Sequence, residues 1–172
     1  MGMDVIGVNP TTKRGEYFRN NVWWWRPLAD YCLANHSDIT DACEYWHSND
    51  GDGLDGDYAR TLGERLLADL ENGTVAQWEA RYNEWRASLP REACNLCNCT
   101  GIRTDDVGQE MRMPERELSP EVQVLVGRVH GWCNGCDGVG TKPSMLGDYP
   151  FSAENVKEFA EFLLDCGGFQ IC

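Results

Sequence analysis

Two Cys-x-x-Cys pairs, Cys94/Cys97 and Cys133/Cys136, stand 35 residues apart and constrain this chain more than any other feature. A two-residue spacer lets a tight turn aim two sulfurs at one point. Two such turns supply the four thiolates of a tetrahedral Zn²⁺ site. The second pair continues as Cys133-Asn-Gly-Cys136-Asp-Gly138-Val-Gly140, and its glycines let backbone N–H groups curl toward the sulfurs. Four thiolates close the coordination shell and leave no position for a reacting water. The expectation is therefore one structural zinc held by Cys94, Cys97, Cys133 and Cys136. Cys99, two residues past Cys97, and His130, three before Cys133, are alternative ligands.

Residues 133–140 match C-x-x-C-x-G-x-G at every fixed position. Residues 94–101 (Cys-Asn-Leu-Cys-Asn-Cys-Thr-Gly) match except at Cys99, which stands where the first glycine would be. In this repeat, residues 94–140 resemble the cysteine-rich zinc module of the DnaJ family of co-chaperones. The family module carries four repeats and two zinc ions, so two repeats imply one zinc here. The family's J-domain tripeptide His-Pro-Asp is absent, and the resemblance implies metal binding without co-chaperone activity. The rest of the chain, with Gly-Glu-Tyr-Phe-Arg-Asn-Asn-Val-Trp-Trp-Trp-Arg-Pro-Leu at residues 15–28, is similar to small phage and bacterial proteins, which imply no mechanism.

Nine cysteines also fit a secreted disulfide scaffold, but the count is odd and four of them sit at metal spacing. The first residues, Met-Gly-Met-Asp-Val-Ile-Gly, lack the basic start and apolar run of a signal peptide. No apolar run approaches the length of a membrane span. A reducing cytoplasm is expected, the host's if the gene is carried by a phage. The net charge of −13 is uneven, with 11 acidic and only 2 basic side chains in residues 38–80. Such a surface repels phosphate backbones and attracts basic proteins.

Along the chain, Val5, Ile6 and Val8 predict a short strand, and Pro27 suits the first position of a helix reaching Ala34. A second short helix is expected after Ser37 or Asp38, carrying Ile39, Ala42, Cys43 and Trp46. Residues 49–57 alternate glycine with aspartate and predict a loop. Tyr58, Leu62, Leu66, Leu67 and Leu70 share one helical face, and Asn72-Gly73 stops that helix. Thr74 and Gln77 read as a capping box for a helix bearing Val75, Trp78, Tyr82, Trp85 and Leu89. The two helices predict an antiparallel hairpin over 57–89. Val122, Val124 and Val126 alternate as in a strand, with 108–113 as partner, and residues 102–120 read as an exposed loop. Ser152 caps a last helix ending at Gly167-Gly168, followed by a strand at 169–172. The fold class is thus mainly α with a small β-containing zinc module (α+β), one compact domain with a metal-tied insertion. Its regions are 1–93, the module at 94–140, and a C-terminal helix and tail at 141–172 that pack back on the first.

Other candidates carry weaker chemistry. Placing Asp50 and Asp52 at positions 3 and 5 of an EF-hand loop puts Gly53 on the required glycine. It also puts Ala59 where a bidentate Glu is needed. A hydrolase using Asp50, Asp52, Asp55 and Asp57 on two metals requires those carboxylates to be held rigidly. Trp23, Trp24 and Trp25, flanked by Lys13, Arg14, Arg19 and Arg26, form the one basic-aromatic segment, a combination suited to stacking on single strands. No Ser/His/Asp or Cys/His pattern is present. The leading reading is a non-enzymatic protein that engages a basic partner through Asp50, Asp52, Asp55, Asp57 and the tryptophans. One form of it is a phage-type inhibitor that mimics nucleic acid on a host defence protein. The alternatives are a nucleic-acid binder using the zinc module and Trp/Arg segment, and a hydrolase built on the aspartate loop.

Overall fold

The computed structural model describes residues 2–172. In chain order the elements are β1 (Gly2–Gly7), β2 (Tyr17–Asn21), α1 (Val22–Asn35), α2 (Ser37–Thr40), β3 (Gly53–Asp55), α3 (Gly56–Glu71) and α4 (Thr74–Ser88). They continue as β4 (Glu92–Ala93), α5 (Asp106–Glu110), α6 (Pro120–Val126), β5 (Thr141–Lys142), α7 (Ala153–Asp165) and β6 (Gly168–Ile171). Helix outweighs strand, about 51% to 14%, which makes the chain mainly α within the α+β class. The chain divides into two units. One runs to Ala87 and resumes at Asp148–Cys172; the other is Ser88–Gly147.

In the first unit, four antiparallel strands lie in the order β2-β1-β6-β3, with Val5 opposite both Phe18 and Ile171. Alternation sends Met3, Val5, Phe18, Leu54, Phe169 and Ile171 to the buried face. Against that face, Phe159 of α7 meets Phe18 at 5.2 Å and Trp25 at 5.5 Å between ring centroids. The indole N–H of Trp25 donates to the Trp46 carbonyl at 2.6 Å, and that of Trp46 to the Thr40 carbonyl at 3.1 Å. Both buried polar tips are thereby satisfied, as a dry core requires. Ser152 caps α7 through the Asn155 N–H at 3.2 Å, as the sequence indicates.

Several local expectations give way. Helix α1 starts five residues before Pro27, because Asn21 accepts the N–H groups of Trp23 and Trp24 at 3.0 and 3.1 Å. Pro27 lies inside it. The three tryptophans therefore fan around a helix. Helix α2 stops at Thr40, and Trp46 reaches the core from a turn. The Leu face of α3 packs along α7, not on α4 as a hairpin would require. Trp78 and Tyr82 of α4 pack instead on Tyr31 and Phe151, at centroid distances of 5.3 and 5.9 Å. At the head of α4 the Asn72 side-chain Oδ1 accepts the N–H of Thr74 at 2.9 Å and its hydroxyl at 2.5 Å.

The aspartate loop is also more ordered than its composition implies. It contributes β3, which pairs with β6. The Asp52 carboxylate accepts the N–H groups of Tyr45 at 2.9 Å, Glu44 at 2.6 Å and Gly53 at 2.8 Å. Asp55 accepts the Tyr58 N–H at 2.9 Å and caps α3.

In the second unit, β4 and β5 pair at Glu92↔Lys142 and Ala93↔Thr141, bringing the ends of the segment together. The strands expected at 122–126 and 108–113 are helical. Ser119 accepts the Val122 N–H at 3.4 Å, Pro120 takes the first turn, and Gly127 closes α6 at φ +71°. Asp105 caps α5 through the Gly108 N–H at 2.8 Å. The segment 102–120 is no simple loop, since it buries Met113 and Leu118.

Two outcomes test this packing. Trp25→Ala should cost about 3–5 kcal/mol in urea unfolding, as expected for a fully buried indole. The Tyr45, Gly53 and Glu44 amides hold the Asp52 carboxyl below its usual range, against the opposing effect of burial. A depressed carboxylate adds stability above its unfolded pKa and loses it as pH falls through the folded value. Asp52→Asn should therefore lower the melting temperature at pH 7 and flatten the acid limb of a stability–pH curve.

Candidate metal centre

The four cysteines of the two pairs come together. The Sγ atoms of Cys94, Cys97, Cys133 and Cys136 all lie within 4.8 Å of one another, and all four residues are buried. Cys94 Sγ is 3.8 Å from Cys133 Sγ, and Cys97 Sγ is 3.7 Å from Cys136 Sγ. A disulfide needs about 2.05 Å. The edge of a tetrahedron with metal–sulfur bonds of about 2.3 Å is roughly 3.8 Å. The spacing fits the second geometry and not the first, so the group can hold a metal ion.

The two turns are near copies. The Gly101 N–H donates to Cys97 Sγ and the Gly140 N–H to Cys136 Sγ, each at 3.2 Å. The Thr100 and Val139 N–H groups donate to the Cys97 and Cys136 carbonyls at 3.0 and 2.9 Å. The Gly135 N–H reaches Cys133 Sγ at 3.4 Å. Three of the four sulfurs thus receive a backbone amide, which offsets part of the negative charge of a tetrathiolate. Gly101 and Gly140 have φ of +76° and +89°, and each turn leans on the other there. A Cβ on Gly101 would lie 2.1 Å from the Gly138 carbonyl oxygen, and one on Gly140 would lie 2.3 Å from that of Cys99. The repeat needs glycine at its last position for space as well as for backbone conformation.

Cys99 occupies the left-handed position that Gly138 holds in the second turn, with φ +64° against +90°. Its side chain is exposed and outside the sulfur cluster. His130 is also outside it and pairs through its backbone with Glu117. The spacing did not single out Arg128, whose guanidinium donates to the carbonyls of Gly138 and Gly131 behind the second turn. Leu118 lies beside it, with Cδ2 2.4 Å from where a Cβ on Gly138 would sit.

Burial pushes the Cys136 thiol up to about 12 and raises that of Cys133. Burial opposes ionisation of Cys94 as well, but hydrogen bonds from Cys97, Cys136 and Cys133 outweigh it and leave its pKa lowered. Before metal enters, the set therefore keeps thiol protons that binding must release. Metal affinity should fall as pH falls.

The other candidate residues do not form a second centre. Among the described residues, the cysteine set is the one group of three or more potential ligands that converges. Asp52 and Asp55 are committed to backbone amides, and Asp50 accepts from the Ser48 hydroxyl. Trp25 is fully buried and unavailable to a partner, which corrects its place among the contact residues. Trp24 is half-buried. Trp23 is 37% exposed and packs on Tyr149 at 4.7 Å. Arg14 turns to Glu161 and Asp165, at 3.0 and 3.1 Å, which breaks up the basic flank. No described helix is long and apolar enough to cross a membrane. Comparison with family models, curated proteins and solved structures found no match.

Substitution should sort the ligands. Cys133→Ser should abolish stoichiometric metal binding, whereas Cys99→Ser and His130→Ala should retain one equivalent by elemental analysis. Gly140→Ala should fold poorly around the metal and weaken its retention against a chelator.

Proposed function

We propose that this chain is a non-enzymatic, zinc-stabilised protein that binds a protein partner with a basic surface. The zinc reading rests on the closed set of four buried sulfurs at tetrahedral spacing. Thiolates select soft or borderline ions, and a complete sulfur shell is the pattern of structural zinc. The zinc's role is to fold residues 88–147, at a contribution on the order of 10 kcal/mol.

The partner reading rests on charge. The acidic excess of residues 38–80 falls within the first unit, and Asp41, Glu44, Asp50, Asp57 and Glu64 are exposed there. Asp52 and Asp55 are spent on the fold, so the recognition carboxylates are a smaller set than composition suggests. A chain of net charge −13 steers basic proteins toward itself more than it tightens the final complex. Occupation of the nucleic-acid site of a defence or nuclease protein is one concrete form of this activity.

Protein purified without chelator should carry one zinc per chain; none, or two, contradicts the single structural site. With a partner recovered by affinity capture, Asp50→Asn with Asp57→Asn should slow association and reduce its salt dependence while leaving the melting temperature unchanged. An unchanged association rate contradicts the electrostatic reading.

A further inference from the structure

Several cations lie against the two cysteine turns, and they differ in what balances them. Arg103 donates to the Asn134 side chain at 2.9 Å and is paired with Asp105 at 2.8 Å. Lys142 faces Glu92 at 4.0 Å. Arg128 is half-buried, and among the described residues no carboxylate pairs with it. Its guanidinium donates to the Gly138 carbonyl at 2.5 Å and to the Gly131 carbonyl at 3.5 Å, and its Nε is buried with no partner. Drawing a cation out of water onto neutral groups is costly unless a negative charge lies close by.

The slot that receives this side chain is cut from glycine. Gly101, Gly131 and Gly138 have φ of +76°, +100° and +90°. A Cβ on Gly101 would lie 2.3 Å from a terminal nitrogen of Arg128, and one on Gly131 would lie 3.5 Å from its Nε. The nitrogen that bonds Gly138 in the second turn therefore rests on Gly101 in the first. Gly101 in turn donates its N–H to Cys97 Sγ at 3.2 Å. These links and ordinary bond lengths put the guanidinium within about 9 Å of that sulfur.

The missing negative charge is the metal centre itself. Four thiolates around Zn²⁺ keep a net charge of about −2. Backbone amides offset part of it with partial charges, whereas Arg128 brings a whole one, in a half-buried place where salt screens weakly. We propose that Arg128 is the positioning residue of the metal centre. Its guanidinium pins the first turn to the second and supplies the counter-charge that lets four sulfurs hold zinc tightly. This proposal rests on the zinc reading above and names the residue that sets the site's hold on the metal.

The test is competition for zinc between the full chain and a chromogenic chelator, under reducing conditions. Two variants accompany the parent: Arg128→Gln keeps a donor without the charge, and Arg128→Lys keeps both. Loss of a supporting partner costs a metal site about 10–100-fold in affinity. Arg128→Gln should therefore weaken zinc binding by about tenfold or more, and Arg128→Lys should bind at least about fivefold more tightly than Arg128→Gln. Loaded with Co²⁺, the variants should keep the visible bands of tetrahedral four-sulfur coordination seen in the parent. A smaller loss in Arg128→Gln overturns the proposal and leaves the zinc reading standing. So does a lysine variant no tighter than the glutamine one, since charge is then not the cause, or a changed Co²⁺ spectrum, since a ligand has then moved. If Arg128→Gln retains no metal, Arg128→Lys must retain one equivalent or the proposal falls. A parent chain that binds no zinc ends both.

Discussion

The convergence of four sulfurs is the interaction on which residues 88–147 depend. Ordering each backbone residue costs about 1–2 kcal/mol in conformational entropy, and in this unit little apolar burial opposes that cost. Besides the sulfurs, Met113 and Leu118 are its large buried apolar side chains. Its regular elements are also short: two-residue strands and helices of five and seven residues. None of these persists alone, since isolated helices under about 12 residues are marginal in water. A metal held by Cys94, Cys97, Cys133 and Cys136 would tie both ends of the unit together and serve as its core.

The other unit is stabilised differently. Phe159 stands among Phe18, Trp25, Phe162 and Phe169, and α3 supplies Leu62 and Leu66 along α7. Its core is a cluster of buried apolar and aromatic side chains rather than of sulfurs. In the cysteine unit, by contrast, apolar side chains such as Val124 and Leu125 are exposed. In the first unit the same residue types are drawn inward and the acidic surface remains.

What the sequence disclosed follows from how local each cause is. The cysteine pairs were legible because a two-residue spacer fixes a turn. The Leu face of α3 and the Ser152 cap of α7 were legible for a similar reason. Periodicity misled where caps decide. Val122, Val124 and Val126 alternate as in a strand, yet Ser119-Pro120 and Gly127 enclose a helix. Asn21 likewise starts α1 ahead of Pro27 and rotates Trp25 into the core. The pairing of α3 with α7 joins segments about ninety residues apart and left no local mark. Asp52 read as a surface charge because its partners are backbone amides, which every sequence has.

Hydrogen–deuterium exchange on the full chain, with bound metal and after chelation under reducing conditions, tests the central claim most directly. The account predicts that amides of residues 88–147, including Gly101, Gly140 and those of α6, lose their protection on chelation. Amides of β1, β6 and α7 should keep theirs. Unchanged protection across 88–147 after metal removal would contradict the metal's role as the core of that unit.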